Sequence, residues 1–216
     1  MKLHYNTVTD QLRSTLVKLM SAEEFLPFRL VGGTSLSLQL GHRLSVDIDL
    51  FTDIKYGSLN FDAIEEYLNR EFDYCESSNI GVISFGKSYY IGHSADDCVK
   101  LDLFYTDTFI RPAEEVDGLR LATIEEIAAM KVDVISRGGR KKDFWDIDQI
   151  LQHYSIDELL SLHQERYPYT HEREEIIKKF TDFSVADVDF DPVCLLSKMW
   201  ELIKLDMVER INLFLS

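Results

Sequence analysis

The chain has 216 residues, 45% of them apolar, and carries a formal net charge of -15. That length and apolar fraction suffice for one sizeable core or two small ones, while the negative charge argues against a general nucleic-acid-coating protein, whose affinity comes mainly from neutralised phosphates. Cys75, Cys98 and Cys194 are widely separated, which fits free thiols in a reducing cytoplasm and matches neither a disulfide framework nor a zinc site.

The N-terminal MKLHYNTVTDQLRSTLVKLM has the apolar spacing of an amphipathic helix, predicted over residues 4–22 with Val8, Leu12, Leu16 and Leu19 on one stripe. It lacks the apolar core and cleavage site of a signal peptide, and no stretch approaches a membrane span. FRLV at 28–31 reads as a short strand ended by Gly32 and Gly33, after which Thr34 caps a short helix running to Gly41. VDIDLF at 46–51 alternates as a strand does, with Val46, Ile48 and Leu50 on one face and Asp47 and Asp49 on the other. A helix is predicted near 61–72, followed by the strands GVISF, YYIGH and CVKLDLFY. The last of these places a third carboxylate, Asp102, between two leucines. From Thr123 onward the pattern is helical, opening on a capping box of Thr123 and Glu126. The shift near residue 120 predicts an α/β domain over 1–120 and a helical domain over 121–216, packed together because no flexible linker separates them.

Carboxylates inside apolar strands raise the question of what positive partner they meet, since an unpaired buried carboxylate neutralises, pairs or binds a metal. Asp47 and Asp49 share one strand face, and Asp102 on a neighbouring strand can join them. Such a cluster suits Mg²⁺, which takes oxygen ligands and leaves positions open for phosphates. A lone D-x-D on an exposed sheet face is the plainer alternative. The Gly32-Gly33 turn shifts the balance, because bare backbone N–H groups at a helix start accept an anion without a Cβ in the way. Arg43 and Ser45, just before the acidic strand, are candidate phosphate contacts, though loop residues there need no function. The basic run RGGRKK at 137–142 collects Arg137, Arg140, Lys141 and Lys142, with Lys131 upstream; it is either a local nucleic-acid patch or a solvated loop.

GGTSLSLQLGHRLSVDIDLF at 32–51 resembles the signature of nucleotidyltransferase-fold proteins, specifically the AbiEii/AbiGii-type toxin family. KLDLFY at 100–105 is similar to the family's third acidic strand, and AAMKVDVISRGGRKKDFWDIDQIL at 128–151 to its lysine and aspartate motif. The resemblance implies an α+β fold, a nucleotidyltransferase mixed sheet flanked by helices and followed by a C-terminal helical region. It implies that Gly32, Gly33 and Thr34 line the nucleotide phosphates, that Asp47 and Asp49 hold Mg²⁺ with Asp102 as third carboxylate, and that Lys131 neutralises the triphosphate. Asp146, or second to it Asp143, takes the place of the essential aspartate. The implied reaction moves a nucleotide from a nucleoside triphosphate to an RNA 3′ end, tRNA above others, held near Arg140, with an antitoxin protein as a further partner.

Plainer readings stand beside these. Lys131 can snorkel to solvent from a helix whose apolar face includes Ile127, Met130 and Val134. Asp146 can be a surface acid paired with Lys142. His42 reads as structural, and Trp145 and Trp200 as core. A non-catalytic nucleotide-binding module and a transferase for cationic small molecules of the aminoglycoside kind remain as alternatives, the second favoured by the acidic surface.

Overall fold

The computed structural model describes residues 1–77 and 85–216. Thr9 accepts a hydrogen bond from the Leu12 N–H and starts helix α1, Asp10–Ser21. Strand β1 (Arg29–Leu30) leads into helix α2 (Gly32–Leu40), which Gly41 ends in a left-handed conformation. Strand β2 (Asp47–Thr52) and helix α3 (Phe61–Glu71) follow, then strands β3 (Tyr74–Ser77), β4 (Gly86–Ser94), β5 (Asp97–Tyr105), β6 (Glu114–Val116) and β7 (Leu119–Leu121). The chain closes with helices α4 (Ile124–Ser136), α5 (Lys141–Ile150), α6 (Ile156–Arg166), α7 (Arg173–Lys179) and α8 (Trp200–Leu215).

These strands form one mixed sheet in the order β3-β4-β5-β2-β1-β7-β6. The β2–β5 pairing is parallel, with Asp47 opposite Lys100 and Asp49 opposite Asp102. Strict alternation therefore splits the sheet chemically. Ile48, Leu50, Leu101 and Leu103 are fully buried and pack with Leu12, Leu16 and Leu19 of α1 and Leu68 of α3. Asp47, Asp49, Lys100 and Asp102 occupy the opposite face, which looks toward the C-terminal helices. Those helices enclose a second apolar cluster around Val132, Phe144, Ile147 and Trp200. Trp145 and Trp200 stack at 5.6 Å between ring centroids, as expected of core residues. No helix among the described residues is long and apolar enough to cross a membrane.

Several expectations are corrected. Residues 4–9 are not part of α1: a 3-10 turn at Tyr5–Thr7 precedes it, and Thr9 is its cap. The strand expected at 28–31 shrinks to Arg29–Leu30. Val46 is 66% exposed and lies outside β2, which begins one residue later. Thr34 does not cap α2, because its hydroxyl binds Ser45 and the carbonyl of Asp47 instead. The Thr123 hydroxyl caps α4 as expected, accepting from the Glu126 N–H. The Glu126 carboxylate does not return to it; it is drawn to the buried guanidinium of Arg166 at 2.6 Å and accepts from the Ile110 and Arg111 N–H groups. CLLSKM at 194–199 is extended rather than helical: Pro192 precedes it, and Cys194 bridges to Arg43 in an antiparallel pair. GVISF lies outside the described residues over 81–84. Strands β3, β6 and β7 were not anticipated.

Candidate active site

One cleft, of about 230 Å³, lies between β2, the start of α2, and helices α4 and α5. It is lined by Gly32, Gly33, Arg43, Ser45, Asp47, Asp49, Lys131 and Asp143, which gathers most of the expected site residues in one place. Gly32 adopts φ +66°, which favours glycine, and a Cβ there would stand 2.6 Å from Asp49 Oδ2. A Cβ on Gly33 would stand 2.3 Å from Arg43 Nη2. The two glycines thus let a carboxylate and a guanidinium lie directly against the N-terminal turn of α2, whose free N–H groups carry partial positive charge.

The carboxylates differ in their surroundings. Asp49 has no ion pair within 4 Å among the described residues; burial, then the charges of Asp102 and Asp47, push its pKa up to about 6 against the opposing pull of Lys131 and Lys142. Asp47 is half-exposed and 3.9 Å from Lys142 Nζ. Asp102 Oδ2 accepts from Lys100 Nζ at 2.5 Å, whereas Asp102 Oδ1 is buried without a partner. No group of three or more His, Cys, Asp or Glu among the described residues forms a ready metal cage. A divalent ion held by one or two carboxylates and completed by substrate oxygens does not need one. The strained Asp49 and the orphaned Asp102 oxygen fit such an ion.

Beneath the cleft lies an ionic hub built on Asp146, which is fully buried. Its Oδ1 accepts from Arg43 Nε and from His42 Nε2, each at 2.7 Å, and its Oδ2 from Arg43 Nη2 at 2.9 Å. Lys131 Nζ lies 2.6 Å from Asp146 Oδ2 and 2.6 Å from Asp143 Oδ1. Burial alone would raise the Asp146 pKa, yet Arg43 and Lys131 hold it well below the usual carboxylate range. Burial would likewise lower Lys131, but Asp146 and Asp143 raise it. Both plainer readings are therefore overturned: Lys131 does not snorkel to solvent, and Asp146 is no surface acid paired with Lys142. His42 is structural, as read.

Thr34 sits just inside the cleft wall, fully buried, its hydroxyl spent on Ser45 at 2.8 Å and on Asp47. The basic run is largely neutralised: Arg137 pairs with Asp133, Arg140 with Asp189 at 3.0 Å, and Lys141 with Asp191 at 2.7 Å. Lys142 alone of that run lines the cleft, a placement that counting it within a loop missed. Phe51 was also missed, although the alternation that sets Asp47 and Asp49 on one face sets Phe51 there too.

The family described as nucleotidyl transferase AbiEii toxin of the type IV toxin–antitoxin system matches residues 14–212. An uncharacterized protein of Aquifex aeolicus is 30% identical over 160 residues, spanning 72% of this chain and 73% of that protein. Among solved structures, JHP933 of Helicobacter pylori is similar with a TM-score of 0.60 at 18% identity, over 94% of this chain and 88% of that one. MenT4, a nucleotidyltransferase toxin of Mycobacterium tuberculosis, gives a TM-score of 0.59 at 14% identity, over 93% and 82%. At such identities the structural likenesses bear on the fold alone, and the fold they share is the nucleotidyltransferase-like α+β arrangement with a C-terminal helical region.

Proposed function

This chain belongs to the AbiEii nucleotidyl transferase toxin family of type IV toxin–antitoxin systems, and on that premise we propose that its cleft transfers a nucleotide from a nucleoside triphosphate to an acceptor hydroxyl with Mg²⁺ bound by Asp47 and Asp49. The observation that carries this reading is the juxtaposition of an uncompensated strand carboxylate with the bare glycine start of α2. In this reading the α/β part to residue 120 and the helical part from 121 build the site jointly, and the system implies an antitoxin partner.

Backbone N–H groups at Gly32 and Gly33 receive phosphate oxygens. Lys142, at the cleft mouth, balances the triphosphate charge. Lys131, Arg43 and Ser45 line the wall, and Asp146 acts through Arg43 and Lys131, fixing both cations, rather than touching substrate itself. Asp143 holds Lys131 and the Arg140 N–H at the start of α5. Asp102, beside Asp49, offers its free oxygen as the third ligand. When bound, the divalent ion bridges phosphate oxygens and offsets charge on the departing pyrophosphate. The acceptor oxygen attacks the α-phosphorus, and pyrophosphate leaves on the opposite side.

We take an RNA 3′ end, tRNA above others, as the acceptor. Neutralisation of Arg137, Arg140 and Lys141 by acids favours a second reading, a cationic small molecule with a free hydroxyl, drawn in by the negative surface. Incubation with α-labelled nucleoside triphosphate, Mg²⁺ and either total RNA or an aminoglycoside separates them by which product carries label. Asp47→Ala is expected to abolish transfer while leaving the circular dichroism spectrum unchanged. Undiminished transfer by that variant rejects the assignment, and triphosphate binding without transfer to either acceptor by the wild type leaves a binding module.

A further inference from the structure

The cleft has an apolar end that the phosphate and metal reading does not use. Phe51 lies two residues beyond Asp49 on the same face of β2, about 7 Å further along the strand at roughly 3.3 Å per residue. Across from β2, helix α4 contributes Ile127 and Val134, one turn either side of Lys131, together with Met130. Phe51 is backed by Phe104 of β5 with ring centroids 5.9 Å apart, so its ring is held in place rather than free to swing.

The polar side chains that line this cleft are largely engaged already. Arg43 is bound to Asp146 and to the Leu44 carbonyl, and Lys131 to Asp143 and Asp146. Asp143 accepts from Lys131 and from the Arg140 N–H, and the Ser45 hydroxyl meets that of Thr34. Among the described lining residues this leaves Asp47, Asp49 and Lys142, which stand at the phosphate end.

We infer that the nucleobase of the incoming triphosphate rests on Phe51, Ile127, Met130 and Val134 and is recognised by stacking and shape, with no side-chain hydrogen bond to its edge, so that the protein discriminates weakly among the four bases. This rests on the nucleotidyltransferase reading above. The distinction is large enough to measure. A site that hydrogen-bonds a substrate group rejects analogues lacking it by about 10⁴–10⁵, whereas an apolar pocket separates its ligands by only about 10–200-fold.

Titration calorimetry of the full chain with Mg²⁺ and each of ATP, GTP, CTP and UTP, and with inorganic tripolyphosphate as a probe of the phosphate end, tests this. The four dissociation constants are expected within about 200-fold of one another. Phe51→Ala and, as a second variant, Met130→Ala are expected to weaken all four nucleotides together, about tenfold, and to leave tripolyphosphate unchanged. A preference above about 1,000-fold for one base, or nucleotide binding untouched in both variants while each remains folded, overturns the inference and leaves the transferase reading standing. Failure of every nucleotide and of tripolyphosphate to bind removes that reading, and the inference with it.

Discussion

Asp146 and Asp49 are both carboxylates withdrawn from water beside the same cleft, and they meet opposite fates. Asp146 accepts from Arg43 and His42 and is paired with Lys131, which holds it ionised far below the ordinary range. Asp49 lies against the start of α2 with its acidic neighbours Asp102 and Asp47, and its pKa rises to about 6. One carboxylate is built into the fold and the other is left wanting a cation. The difference separates scaffold from reaction chemistry: a stabilising group saturates its partners, while a ligand-binding group keeps an unmet need until substrate arrives.

The largest effect is expected at the saturated member. Asp146→Ala leaves Arg43 and Lys131 as buried cations without their shared anion, and chemical denaturation should show a loss of about 3–5 kcal/mol. A loss under 1 kcal/mol would erase the contrast.

Asp49→Asn should act in the reverse direction. An acid whose folded pKa lies above its unfolded value of 3.8 binds its proton more tightly when folded. Its contribution to stability is therefore greatest below 3.8 and declines as pH rises to about 6, remaining low above that. Removing the charge should stabilise the metal-free protein by about 1–2 kcal/mol at pH 8, a pKa unit being worth about 1.4 kcal/mol, with little change at pH 4. Nucleotidyl transfer should be lost in the same variant. A melting temperature lowered at pH 8 would show that Asp49 already has a stabilising partner.

Asp102→Asn sharpens the comparison further. It removes the largest like charge acting on Asp49, so the Asp49 midpoint should move down toward the ordinary carboxylate range without reaching it, since burial remains the leading cause. Smallest of all is Arg140→Ala. Its ion pair with Asp189 has an arginine side chain that is 59% exposed, and the stability change should stay within about 1 kcal/mol.

Local pattern made the reactive half of this contrast legible and hid the saturated half. Alternation in VDIDLF places Asp47 and Asp49 together, and KLDLFY supplies a similar strand whose register then sets Asp102 beside Asp49. The glycine pair marks the start of α2, although its sharper role, making room for Asp49 and Arg43, depends on contacts that no local rule reports. Asp146 meets Arg43 and His42 across 103 and 104 residues of chain, so periodicity alone could not tell a buried hub from a surface acid. Strands as short as β1 and β7 carry too few residues to alternate; they exist because each completes the other's parallel pairing. CLLSKM has a helical composition, and the tertiary bridge between Cys194 and Arg43 overrides it.

The most direct test of whether Asp49 awaits a divalent ion is a carbon-detected titration of its carboxyl group, with and without Mg²⁺ and a nucleoside triphosphate. Without them the midpoint should lie near 6; with them it should fall toward the ordinary carboxylate range, because a bound cation favours the ionised form. A midpoint that is already ordinary in the free protein, or that does not move when ion and nucleotide are added, would contradict the account.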